Sequence, residues 1–90
     1  MAIYKVRLAK RAERGLRKIR QGDPRAYRRI VEAIRALGKV SAPPKAEKLT
    51  NFDPPAWRVR VGEYRIVYEI YEHELLVLVV NIAPRGEVYK

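Results

Sequence analysis

Residues 57–71 read WRVRVGEYRIVYEIY, and their spacing brings three guanidinium groups onto one surface. Trp57, Val59 and Val61 alternate with Arg58 and Arg60, the period of two expected of a half-buried strand. Gly62-Glu63 then supplies a two-residue loop with glycine first. That loop predicts a type II′ hairpin with Val61 opposite Tyr64, Arg60 opposite Arg65 and Val59 opposite Ile66. Like charges directly opposed across two strands repel each other, and Arg58 lies two residues along the same face. A solvated surface is one reading of these arginines. The other is an anion-binding surface on a rigid sheet, since planar guanidinium forks hold phosphate at two points.

Arg85 and Tyr89, after the last long apolar run, are further candidates for the same chemistry. RNA carries its own nucleophile, because a 2′-hydroxyl can attack the adjacent phosphate. The protein then has to align the chain, accept a proton and stabilise developing charge. Arginine suits the last task. Its pKa above about 12 makes it a poor proton acceptor, so the sequence does not name the general base. An aromatic ring such as that of Tyr89 can stack on a splayed base and hold the nucleotide in line. His73 lies between Glu72 and Glu74 in a predicted turn and reads as a surface residue remote from the arginines. No glycine-rich nucleotide loop, Ser/His/Asp set or well-placed carboxylate pair is present.

Composition narrows the partners. Ninety residues predict one domain, 1–90, with a single modest core. Twenty Lys and Arg against ten Asp and Glu give a net charge of +10, which points to nucleic acid or an acidic protein. No apolar run reaches the roughly 20 residues of a membrane span and the N-terminal MAIYKVRLAK lacks a signal-peptide core, so a cytoplasmic protein without a membrane partner is expected. With no cysteine and one histidine, the usual thiolate and zinc arrangements are ruled out, and no cofactor is implied.

The elements that must position these residues follow from periodicity. Ala2 to Leu8 alternate as an amphipathic first strand. From Ala9 the period changes, and Ala12, Leu16 and Ile19 form a narrow apolar stripe on a basic helix weakened near Gly15. Asp23-Pro24 caps and starts a second helix, with Tyr27, Ile30, Val31, Ile34 and Leu37 on one side and Gly38 at its end. Residues 39–56 hold four of the six prolines and read as a long connection. Beyond the hairpin, Glu72-His73 makes a second turn. LLVLVVNI (75–82) reads as a central strand buried on both faces, and Glu87 to Lys90 as at most a short final strand. The predicted fold is therefore α+β, βααβββ: a helical hairpin packed on one face of a small, mainly antiparallel sheet, whose other face presents Arg58, Arg60 and Arg65.

The run WRVRVGEYRIVYEI, the apolar strand after it and the terminal PRGEVY resemble the RelE branch of the RelE/ParE toxin superfamily, and the element order agrees over essentially the whole chain. The resemblance implies the toxin of a type II toxin-antitoxin system. Such a toxin enters the ribosomal A site and cleaves mRNA by 2′-hydroxyl attack until an acidic RelB-like antitoxin neutralises it. By position it implies Arg65 as phosphate stabiliser, Arg85 as leaving-group assistant and Tyr89 as the stacking or orienting aromatic. Arg60 and Arg58 stand where better-known members carry lysines, Arg60 within the catalytic set and Arg58 as an RNA contact. Lys48 is a further candidate RNA contact. Two other functions remain open: a ParE-like DNA gyrase inhibitor on the same fold, and a non-catalytic basic RNA-binding protein.

Overall fold

The computed structural model describes residues 3–41, 43–49 and 55–84. Its elements are β1 (Lys5–Leu8), α1 (Lys10–Gly22), α2 (Pro24–Leu37), β2 (Glu47–Leu49), β3 (Ala56–Val61), β4 (Tyr64–Tyr71) and β5 (Leu76–Pro84). They form one five-stranded sheet in the order β1-β5-β4-β3-β2, with β1 parallel to β5 and every other neighbour antiparallel. Both helices pack on one side.

Local chemistry explains the helix boundaries. Asp23 is the single residue between the helices, and its carboxylate accepts a 3.2 Å hydrogen bond from the Ala26 amide, with Pro24 opening α2. Ala12 and Ile19 of α1 and Ile30, Ile34 and Leu37 of α2 are buried against Val59, Ile66, Tyr68, Ile70, Val77, Val79 and Ile82 of the sheet. Gly15 permits this approach: a Cβ there would overlap the carbonyl oxygen of Ile82, so the glycine that weakens α1 also lets it sit on β5.

The β3–β4 register is the one that the turn predicts, with Val59 opposite Ile66, Arg60 opposite Arg65 and Val61 opposite Tyr64. Gly62 has φ +59 while Glu63 stays at negative φ, as a type II′ turn requires.

Two expectations need correction. The connection over residues 39–56 contains β2, a three-residue edge strand paired through Glu47 to Arg58, Lys48 to Trp57 and Leu49 to Ala56. Its EKL sequence has neither alternating apolar residues nor strong strand formers, so it exists through pairing with β3. Strand β5 is fully covered on one face only. Val77 and Val79 are buried, whereas Leu76, Leu78 and Val80 are half-buried, because both helices lie on the other side. The strand expected over residues 87–90 lies outside the described residues.

Candidate functional site

On the open side of the sheet, alternation and register assemble two rows of side chains. Glu47, Arg58, Val67 and Asn81 follow one another across β2, β3, β4 and β5, and Arg60, Arg65 and Ala83 form the next row. A bulge adjoins the first row, with Val80 as an extra residue between Val79, opposite Tyr68, and Asn81, opposite Val67. Such an insertion re-phases the strand: Ile82 returns to the core while Asn81 lies beside the arginine rows.

Lys45, Glu47, Arg58, Arg60 and Arg65 line a shallow depression of about 340 Å³. Four cations and one carboxylate give it a formal charge of 4 − 1 = +3. Arg58 pairs with Glu47 and is largely covered, with 21% of its side chain exposed against 66% for Glu47. Arg60 is exposed and Arg65 half-buried. Their direct opposition on the hairpin sets two like charges against each other on a backbone fixed by the ladder, a cost that a bound polyanion would offset.

The sequence-predicted residues divide three ways. Arg58, Arg60 and Arg65 come together. Lys48 does not join them: one residue on from Glu47, opposite Trp57, it faces the other way and lines a separate groove with Trp57, Tyr71 and His73. Arg85 and Tyr89 lie outside the described residues, which stop at Pro84, next to Ala83, the partner of Arg65. His73 is exposed in the turn at the far end of β4, about 20 Å from Arg65 at strand rise.

Sequence reasoning missed Glu47 and Lys45. Their signal was the isolated KAEKL just before the hairpin, where a lone acid sits between lysines. Pattern alone gives no reason to place that acid against Arg58, because the pairing that does so is tertiary.

Elsewhere, burial pushes the Tyr68 phenol up to about 12, and its buried hydroxyl has no hydrogen-bond partner among the described residues. The Tyr71 phenol is also raised to about 12, chiefly because it donates a 2.7 Å hydrogen bond to Glu69, with burial and the charges of Glu69 and Glu74 adding to the effect. Among the described residues no helix is long and apolar enough to cross a membrane.

Residues 6–89 match the family model described as ParE toxin of type II toxin-antitoxin system, parDE. No curated protein sequence matches significantly. Among solved structures, the chain is similar to one in the archaeal RelE-RelB complex from Pyrococcus horikoshii OT3, with 24% identity, a TM-score of 0.78, and coverage of 98% of this chain and 100% of that one. For the toxin-antitoxin complex RelBE2 from Mycobacterium tuberculosis the values are 25%, 0.76, 92% and 99%. For the YoeB/ParE toxin from Agrobacterium tumefaciens they are 20%, 0.77, 90% and 98%. Two helices on a mixed five-stranded sheet are thus the fold of RelE-like toxins.

Proposed function

The chain belongs to the ParE toxin family of type II toxin-antitoxin systems, within the RelE/ParE superfamily, and from that premise we propose that it is a ribosome-dependent mRNA endoribonuclease of the RelE type. The observation that carries the reading is the meeting of Arg58, Arg60, Arg65 and Glu47 around one open depression. Three tasks are needed for cleavage by an RNA's own 2′-hydroxyl, and side chains of this kind can perform each.

Arg60 and Arg65 receive the scissile phosphate and stabilise the charge that builds on its oxygens. Glu47, held by Arg58, accepts the 2′-hydroxyl proton, a role for which a carboxylate is far better suited than a guanidinium. The O2′–P bond forms, the P–O5′ bond breaks, and the fragments carry a 2′,3′-cyclic phosphate and a 5′-hydroxyl. The departing 5′ oxygen takes its proton from water, assisted by Arg85, while Tyr89 stacks on the neighbouring base. The ribosomal A site supplies the extended mRNA geometry that a shallow depression cannot impose alone. An acidic RelB-like antitoxin is the cognate partner, in keeping with the net charge of +10 and with the RelE-RelB complex among the similar structures, and the protein acts in the cytoplasm.

Single-turnover cleavage of one mRNA, with and without ribosomes, tests the proposal. Arg65→Ala, Arg85→Ala and Glu47→Gln should each lower the ribosome-dependent rate by about 10²-fold or more. Tyr89→Phe should retain more activity than Tyr89→Ala if the ring acts by stacking. Unchanged rates in the Arg65 and Glu47 variants would remove the site. The description of the matching family model favours a second reading, inhibition of DNA gyrase. Absence of wild-type cleavage, together with blocked supercoiling, would establish it instead.

A further inference from the structure

We propose that the hollow between α1 and the end of β5 holds the 3′ portion of the cleaved RNA where it runs on from the arginine depression, with Arg14 and Lys18 on its phosphates and Tyr64 against a base. The proposal rests on the reading of the chain as an mRNA nuclease, and it gives the substrate a second place of contact. The hollow has a volume of about 640 Å³. Arg11, Arg14 and Lys18 line it from α1, and Tyr64, Ala83 and Pro84 from the ends of β4 and β5. Among the described residues its one carboxylate is Asp23, which is engaged in capping α2.

The three cations stand at i, i+3 and i+7 on α1, which is one face of a helix, with neighbours about 5–6 Å apart. Arg14 and Lys18 are exposed. Charge spread along a row suits a chain of phosphates better than a single one. Half-buried Tyr64 lies where this hollow meets a second one of about 600 Å³, which Arg25, Arg28 and Arg29 line. A free nucleotide would fill one hollow. Two in series, with cations in both and an aromatic ring at their junction, match a single strand whose base lies on the ring.

Register connects the hollow to the cleavage site. Ala83, on its wall, is the partner of Arg65. Tyr64 precedes Arg65 on β4 and packs towards the helices, whereas Arg65 lines the depression on the open side. Hollow and depression thus lie back to back at one end of the sheet, roughly 10 Å apart, and a strand passes from one to the other over the ends of β4 and β5. On the ribosome, message upstream of the A-site codon is held by pairing with tRNA. The portion free to turn into the hollow is therefore the downstream, 3′ one.

The test is single-turnover cleavage at increasing protein concentration, on ribosomes carrying either a message that ends at the A-site codon or one that runs well beyond it. The longer message should be half-saturated at about tenfold lower protein concentration, while the saturating rates differ much less. Joint Arg14→Glu and Lys18→Glu substitution should remove that advantage. Arg17→Glu, the same charge change at an exposed position of α1 outside the hollow, should keep it. Equal half-saturation by the two messages in the wild type would overturn the proposal. So would a double variant that loses affinity equally for both, which would give these cations to ribosomal RNA.

Binding of a 2′-O-methyl oligonucleotide, which lacks the attacking hydroxyl, separates the hollow from the nuclease reading. Removing two phosphate contacts should make the slope of log affinity against log salt shallower by about 1–2 in the double variant. An unchanged slope, or displacement of the oligonucleotide by inorganic triphosphate or polyglutamate as readily as by RNA, would overturn the assignment even if the nuclease reading stands. A shallower slope in a protein that cleaves no mRNA would uphold the hollow as a site for single-stranded RNA while removing the nuclease reading.

Discussion

On one side of β3 and β4, Val59, Ile66 and Tyr68 meet the helices and lose nearly all contact with water; on the other, the intervening Arg58, Arg60 and Arg65 line a depression. The residues differ by one step along the same strands. Strand periodicity therefore does two tasks at once, since each apolar residue that fixes the register by burial also fixes where its charged neighbour must point. The covered side supplies the hydrophobic stabilisation. The open side sets Arg60 against Arg65 beside the Arg58–Glu47 ion pair, a repulsion tolerated because the core opposite holds the ladder in place.

Substitutions on the two sides should therefore have opposite consequences. Ile66→Ala removes a side chain with no exposure and should cost about 2–5 kcal/mol of stability, with any loss of activity following the folded fraction. Arg65, one residue earlier, should behave in the opposite way: Arg65→Ala should change stability by no more than about 0.5 kcal/mol, or raise it slightly by removing like-charge repulsion, while abolishing most activity. Within β5, Leu78→Ala should cost clearly less than Ile66→Ala because Leu78 is only half-buried on the open side. Urea titrations of the three variants check this order. Equal costs for Leu78 and Ile66 would mean that the open side is as well covered as the other.

A smaller effect sharpens the same contrast from the helix side. Gly15→Ala would normally favour a helix by about 1 kcal/mol, yet here the new methyl would meet the Ile82 carbonyl, backbone that cannot turn aside. The expected result is net destabilisation of about 1–3 kcal/mol, measured by the same titrations. A more stable Gly15→Ala protein would show that α1 does not depend on this close approach.

The parts of this arrangement that were legible in the sequence are those encoded locally. The alternation of Trp57 to Val61 and the Gly62-Glu63 turn contain everything needed to set Arg60 against Arg65, and the Asp23-Pro24 pair contains the start of α2. What was hidden depended on pairing between distant segments. Glu47 enters the depression because a short edge strand forms against β3, and nothing in EKL announces a strand. The same pairing turns Lys48 to the opposite face from the arginines, which its position in the sequence could not reveal. The continuous apolar run of β5 suggested burial on both sides; which side is fully covered depends on where the helices pack.

The last expected effect lies deepest on the covered side. Tyr68 has no exposure, its ring packs in the core and its hydroxyl finds no partner among the described residues, so a polar atom has been taken from water with no hydrogen bond in return. Removing that atom while keeping the ring should be neutral or should stabilise the protein by about 1 kcal/mol, making Tyr68→Phe the reverse of an ordinary core truncation. Its pH dependence provides a second check. Burial raises the phenol from 10.0 in the unfolded chain to about 12 in the fold, so the folded state keeps a proton that the unfolded state begins to release. The corresponding stability is intact below pH 10 and is lost progressively as the pH climbs through 12, an effect of up to roughly 2–3 kcal/mol at about 1.4 kcal/mol per pH unit. Denaturant titrations across that alkaline range should show the wild type losing stability faster than Tyr68→Phe. The slope left in the variant includes Tyr71, whose phenol is raised chiefly by its bond to Glu69. Parallel curves for the two proteins would mean that the Tyr68 hydroxyl reaches water or a hydrogen-bond acceptor, and that the covered side of the sheet is less dry than its packing implies.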